Sequence, residues 1–292
     1  MKTSPPGKKL NPEAAEPGLW GALNQFPKEL LATSSRILAA MSTEPALTRA
    51  RREMLNGLGL AVGNQVMEAG CGTGTALADV LPVIGSRGRV VGVDATAAFI
   101  QEARERAMRI GATQVEYREA DVCALPFASG AFDAAFCDKL LTHVDAHSPA
   151  LSELARVTRQ GGRVGAVEWT AHLSLSTIHP EHEARINGVL RASVQNVSAG
   201  PNLARTFRQV GLSQITTRRY LAEADSLSDH PFWRALLIDQ LPLFVHARLM
   251  TPAEARAFAE EVKALDESGD FRAAFVIWTA CGTKGPPAPL PG

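Results

Sequence analysis

A short apolar run that ends in a cluster of glycines is the strongest constraint on what this chain can fold into. Gln65-Val66-Met67-Glu68 reads as a buried strand, and Ala69-Gly70-Cys71-Gly72-Thr73-Gly74 follows it directly. Glycines at alternate positions let the backbone turn tightly and bring a ligand close to the main chain. A helix after such a turn offers its free N-terminal amides to the same ligand. The spacing departs from the GxGxxG dinucleotide fingerprint, because the third glycine is residue 74 and position 75 is Thr. The pattern is GxGxG preceded by an acid, which disfavours a nicotinamide oxidoreductase.

The segments on either side alternate between strand and helix patterns. Leu30, Ile37, Leu38 and Met41 share one helical face, and Leu47, Ala50, Met54 and Leu58 share another. Arg89–Asp94 (RVVGVD) is the near-continuous apolar run of a strand buried on both faces. Residues 97–110 read as a helix, with Phe99, Ala103, Ala107 and Ile110 on one side. Residues 115–120, 132–137 and 163–169 read as the third, fourth and fifth strands. Ser148-Pro149 reads as the start of a helix through Arg159, with Ser at the N-cap and Pro at the first helical position. A short helix carrying Leu203, Phe207 and Val210 stops at Gly211, and residues 213–220 and 271–279 supply two more strands. Such alternation predicts an α/β fold, a parallel sheet covered by helices.

Two segments exceed what that sheet needs, residues 171–200 and 226–268. The second holds a capping box, Thr251-Pro252-Ala253-Glu254, ahead of Phe258, Val262 and Leu265 at helical spacing. Insertions at the rim of an α/β sheet often carry function, so both are expected to form helical lids. Residues 1–18 and 282–292 are rich in Pro and Gly and read as flexible tails. Residues 19–281 read as one domain, with helices over 19–58.

Composition removes several classes of function. Lys+Arg and Asp+Glu both number 30, so the formal charge is zero, whereas a general nucleic-acid binder carries a basic excess. The four cysteines, Cys71, Cys123, Cys137 and Cys281, form no CxxC pair and no disulfide framework. A reducing, cytoplasmic setting fits them. No segment reaches the ~18 apolar residues of a membrane helix, and the basic N-terminal stretch lacks the apolar run of a signal peptide. The His179-Pro180-Glu181-His182 stretch lacks the spacing of a metal pair, so no metal is expected.

Two acids at strand ends extend the ligand reading. Asp94 ends the second strand, where a carboxylate can accept from both hydroxyls of a ribose. Asp121-Val122 follows the third strand, where an acid can accept from an adenine amino group while Val122 packs on the ring.

The runs VMEAGCGTG, VVGVD, EADVCALPFASGAFDAAF and LARVTRQGGRV together resemble the class I S-adenosylmethionine (SAM)-dependent methyltransferases, in particular the small-molecule branch of quinone and sterol C-methyltransferases. The resemblance covers residues 59–170 well and 203–220 weakly. It implies a Rossmann-like, mostly parallel sheet of seven strands flanked by helices. It also implies roles by position. Gly70, Cys71 and Gly72 lie against the methionine moiety, and Glu68 supports their loop. Asp94 holds the ribose with Ala95 beside the adenine, and Asp121 and Val122 hold the adenine. Cys137 and Asp138 face the sulfonium end. Gln160 stands where relatives carry a Pro before the Gly-Gly pair, and the charged pair Asp138-Lys139 occupies a position that varies among them.

Methyl transfer asks the protein to align donor and acceptor in a dry pocket, and a base is needed only if the acceptor must lose a proton. His143 is the first candidate base or positioning group and Glu168, near the end of the fifth strand, the second. Trp169 could line the acceptor pocket. Phe232, Trp233, Leu236, Leu237, Leu241, Leu243 and Phe244 supply either the wall of a hydrophobic acceptor site or ordinary core. The resulting expectation is a transferase for a small, apolar metabolite that binds neither nucleic acid nor membrane; a homodimer is compatible with it. The rival reading keeps the fold and the bound SAM but catalyses a cyclisation or rearrangement.

Overall fold

The computed structural model describes residues 19–144 and 147–285. The tail expected over residues 1–18 lies outside the described residues. A 3-10 helix, Leu19–Gln25, leads into α1 (Lys28–Met41) and α2 (Pro45–Gly57). The Rossmann-like core then runs β1 (Gln65–Ala69), α3 (Leu77–Ile84), β2 (Arg89–Asp94), α4 (Ala97–Arg109), β3 (Val115–Glu119), β4 (Phe132–Asp138), α5 (His147–Val157) and β5 (Thr158–Trp169). Strands β3, β2, β1, β4 and β5 lie side by side in that order, all parallel. The order reverses between β1 and β4, which opens a crevice at their carboxyl ends where ligands of open α/β sheets bind.

Side-chain alternation along these strands explains why both faces are covered. Val66, Val90, Ala134 and Phe136 face one core, with Leu77, Val80 and Ile100 from α3 and α4. Met67, Val91, Ala135 and Cys137 face the other, with Leu151, Leu154 and Phe207. A strand buried on both sides reads as a continuous apolar run, which is why Arg89–Asp94 was recognisable.

The rest of the chain comprises β6 (Ser174–Leu175), α6 (Pro180–Ser193), α7 (Ala199–Gln209), β7 (Leu212–Ala224), α8 (Pro231–Arg234), a π turn (Ala235–Asp239), α9 (Leu241–His246), α10 (Pro252–Ser268) and β8 (Ala273–Lys284). The capping box at Thr251 is present, with Thr251 and Glu254 each accepting the other's backbone amide. Strand β8 is antiparallel to both β5 and β7. No helix among the described residues is long and apolar enough to cross a membrane.

Three expectations are corrected. The sheet has eight strands, not seven. The extra one is β6, which continues the track of β5 along β8: Trp169 pairs with Ile277, and after a short gap Ser174 and Leu175 pair with Ala274 and Ala273. Strand β8 is longer than β5 at that end, so the returning chain fills the open edge. The C-terminal tail does not begin at Gly282, because β8 runs to Lys284, whose Nζ donates to the carbonyls of Arg156 (3.0 Å) and Thr158 (2.7 Å). Helix α5 begins at His147, ahead of Ser148, and ends at Val157, because Thr158 already pairs with Phe132 in the sheet.

Candidate active site

One cavity lies over the carboxyl ends of β1, β2 and β4. Its strand side is built from backbone. Gly70 and Gly72 line it with φ of 67° and 51°, the left-handed region open to glycine. A Cβ on Gly70 would stand 2.8 Å from Leu140 Cδ1, so the loop can approach its neighbour only without a side chain. The Cys71 amide donates to the Val93 carbonyl at 2.9 Å, which ties the loop to β2. Asp94 locks the other end: its Oδ2 accepts from the Gly72 amide at 2.9 Å and its Oδ1 from the Thr96 amide at 2.8 Å. Burial raises the Asp94 pKa even though those bonds oppose the rise. Ala95, Asp121 and Val122 continue the wall, and the Asp121 carboxylate accepts the Cys123 amide at 2.8 Å.

A knot of buried charge sits at the end of β4. Asp138 accepts from Lys139 Nζ at 2.6 Å and from Arg51 at 3.2 Å, and Arg51 also donates to Asp79 at 2.8 Å. Burial pushes the Asp138 carboxyl up, but Lys139 and Arg51 outweigh that and hold it below its ordinary range. Lys139 has φ of 59°, a conformation that non-glycine residues seldom adopt, and it lines the cavity. Glu68 lies behind the glycine loop, and burial, aided by the Asp138 charge, lifts its carboxyl to about 8.

His143 sits on a 3-10 turn, Leu141–His143, directly after β4. It lines the cavity 5.9 Å from the Trp20 ring, and its Nδ1 is buried with no partner among the described residues. Burial, and then the charge of Lys139, lower its pKa to about 4, so the imidazole is neutral at physiological pH. Glu168 does not line the cavity. Its carboxylate accepts from the Leu141 amide at 2.6 Å, from the Thr142 amide at 3.3 Å and from the Thr142 hydroxyl. Burial raises it to about 7 against those bonds. Glu168 therefore holds the turn that presents His143.

The structure brings Gly70, Gly72, Asp94, Ala95, Asp121, Val122, Asp138 and His143 to one cavity. It does not bring Glu68, Cys71, Cys137 or Glu168 there. Cys137 faces the core on the far side of the sheet from Phe136, by strand alternation. The Cys71 side chain turns into the core beneath the loop, and burial pushes both thiols well above their ordinary range. The opposite wall was mostly missed. It comprises Trp20 from the 3-10 segment, Leu38 and Met41 from the last turn of α1, Leu190 and Ser193 from α6, and Leu236 and Gln240 around the π turn; Trp169, expected to line the acceptor pocket, lines the cavity as well. Of the seven apolar candidates in the second insertion only Leu236 lines the cavity; Phe232 and Trp233 pack on Phe275. Helical spacing had marked Leu38 and Met41 as one face, but nothing local distinguishes Ser193 or Gln240.

The fold is Rossmann-like, with the glycine loop and the doubly anchored Asp94 at the carboxyl edge of its sheet. Residues 66–162 match the family model described as a methyltransferase domain. The chain is similar to an uncharacterised 37.1 kDa protein of a Streptomyces fradiae transposon, with 32% identity over 61% of this chain and 52% of that one. It is also similar to the O-methyltransferase resE of Aspergillus sclerotiorum, with 30% identity over 58% of this chain and 62% of the relative. The chain thus spans between half and two thirds of the length of these relatives. The fold matches that of YcgJ from Bacillus subtilis with a TM-score of 0.59 and 19% identity, covering 82% of this chain and 99% of the other.

The residues present fit SAM. A Cβ on Gly70 or Gly72 would crowd Leu140 or Leu38, which line the same cavity, and Asp94 is a half-buried acceptor already oriented by two amides.

Proposed function

We propose that this protein transfers a methyl group from SAM to a small molecule with a largely apolar body. The observation that carries this reading is a shared cavity: Gly70, Gly72 and Asp94 form one wall, Trp20, Leu38, Met41 and Leu236 another, and His143 lies on the same surface. When bound, SAM supplies a methyl group already activated on a sulfonium, so the protein has little bond polarisation to perform.

The roles of the chain's own residues follow from their anchoring. Asp94 accepts from the ribose hydroxyls, Asp121 and Val122 flank the adenine, and Asp138 with Lys139 meets the charged methionine end. The apolar wall excludes water and aligns the acceptor, the entropic part of catalysis. His143, neutral and with an unpartnered ring nitrogen, takes the acceptor's proton. Glu168 acts through the Leu141–Thr142 turn rather than on the substrate.

Incubation with SAM and a panel of apolar phenols, amines and alkenes tests the proposal. Stoichiometric S-adenosylhomocysteine (SAH) and methylated product, read by mass spectrometry, are expected. An acceptor converted to an isomer with no SAH formed would show the cyclisation or rearrangement chemistry instead.

A further inference from the structure

Three polar groups from three separate elements line the same cavity as the glycine loop: His143 after β4, Ser193 at the end of α6 and Gln240 after the π turn. The hydrogen bonds they already make decide what they can still offer. Gln240 is 3% exposed, and its Nε2 donates to the Leu236 carbonyl. A carbonyl only accepts, so the amide nitrogen must point to it, and Oε1 is left as the free end. That oxygen has no partner among the described residues. The Ser193 hydroxyl donates to the Leu190 carbonyl at 2.8 Å, which leaves its oxygen lone pairs. Neutral imidazole has one nitrogen that accepts, and no described residue partners His143 Nδ1.

The π turn is what places Gln240 here. Its amide donates to Ala235, five residues back, at 3.1 Å instead of to Leu236. That extra residue per turn frees the Leu236 carbonyl for the Gln240 side chain, and both residues face the cavity. Single π turns within helices are frequent at functional sites.

We infer that the acceptor carries hydrogen-bond donors, hydroxyl or amine groups on an apolar frame, and that Gln240 reads one of them through Oε1, with Ser193 lining the same cavity. A wall of acceptors rejects a hydrocarbon, because its buried oxygens would lose water and gain nothing. This deepens the transferase reading and rests on it. It narrows the substrate class from apolar metabolites in general to phenols, alcohols and amines, and makes Gln240 a specificity-determining residue distant from the glycine loop in sequence.

The test uses the full chain saturated with SAH and two probes of matched shape, 2-naphthol and naphthalene, titrated by calorimetry. Wild type should bind 2-naphthol about tenfold more tightly than naphthalene. Gln240→Leu should reduce that ratio to about threefold or less, by weakening 2-naphthol and tightening naphthalene, with SAH binding unchanged; Ser193→Ala should reduce it less. A wild-type ratio near one, or a Gln240→Leu protein that keeps the full ratio, would overturn the assignment of Gln240 while leaving the transferase reading intact. Loss of SAH binding in Gln240→Leu, with its fold verified by circular dichroism, would move Gln240 to the cofactor side and overturn it as well. Failure of wild type to bind SAH at all would instead overturn the transferase reading and the inference with it.

Discussion

The two walls of the cavity are held in place by different physics. On the strand side, Gly70, Gly72 and Asp94 are positioned by main-chain bonds: Cys71 to Val93, and Gly72 and Thr96 to the Asp94 carboxylate. On the helix side, Met41, Leu190 and Leu236 are positioned by side-chain packing among α1, α6 and the π turn. Backbone bonding of this kind fixes a position closely and tolerates few residue types. Packing fixes a volume and tolerates many, provided the total is kept. A cofactor common to a whole class suits the first wall, and an acceptor that differs between members suits the second. Glu168 is the joint between them, since it rises from β5 and fastens the turn that carries His143.

Breaking the joint should have the largest effect. Glu168→Ala leaves two buried amides and a hydroxyl without their acceptor, and is expected to lower unfolding stability by roughly 3 kcal/mol, measured by urea denaturation. A smaller effect follows on the helix side of the joint: His143→Ala should lower kcat by about a hundredfold while SAH affinity, measured by calorimetry, changes by less than about threefold. Equal losses in both would place His143 with the cofactor and blur the distinction between the walls. The smallest effect is a dependence on pH. The Glu168 pKa is raised by burial from 4.5 to about 7, so the folded state holds a proton that the unfolded state has released. Its stabilising term is complete below pH 4.5 and declines as pH rises through about 7. Wild-type stability relative to Glu168→Gln should therefore fall across that interval and level off above it.

The strand wall was legible in the sequence because its constraints are local. Three glycines, an acid before them and acids at the ends of two neighbouring strands are local signals, and β1, β2 and β4 follow from runs that must be apolar on both faces. The helix wall was not legible, because its members come from segments far apart in the chain. Phe232 and Trp233 had the composition of an acceptor wall, yet Phe275 from β8 packs on both and keeps them in the core. Glu168 looked like a strand-end acid facing the crevice; strand periodicity does not show that its carboxylate is already committed to three donors on the following turn. Gln240 gave no signal at all, because its role depends on one extra residue in a helical turn.

The central claim is that the strand wall is a SAM site built around Asp94. Calorimetric titration of the wild-type protein and of Asp94→Ala with SAH, using NADH as the control ligand, tests it most directly. The account predicts micromolar SAH binding to wild type, a loss of about tenfold or more in Asp94→Ala, and no response to NADH in either. SAH affinity unchanged by Asp94→Ala would contradict the ribose assignment, and absence of SAH binding in wild type would contradict the claim itself.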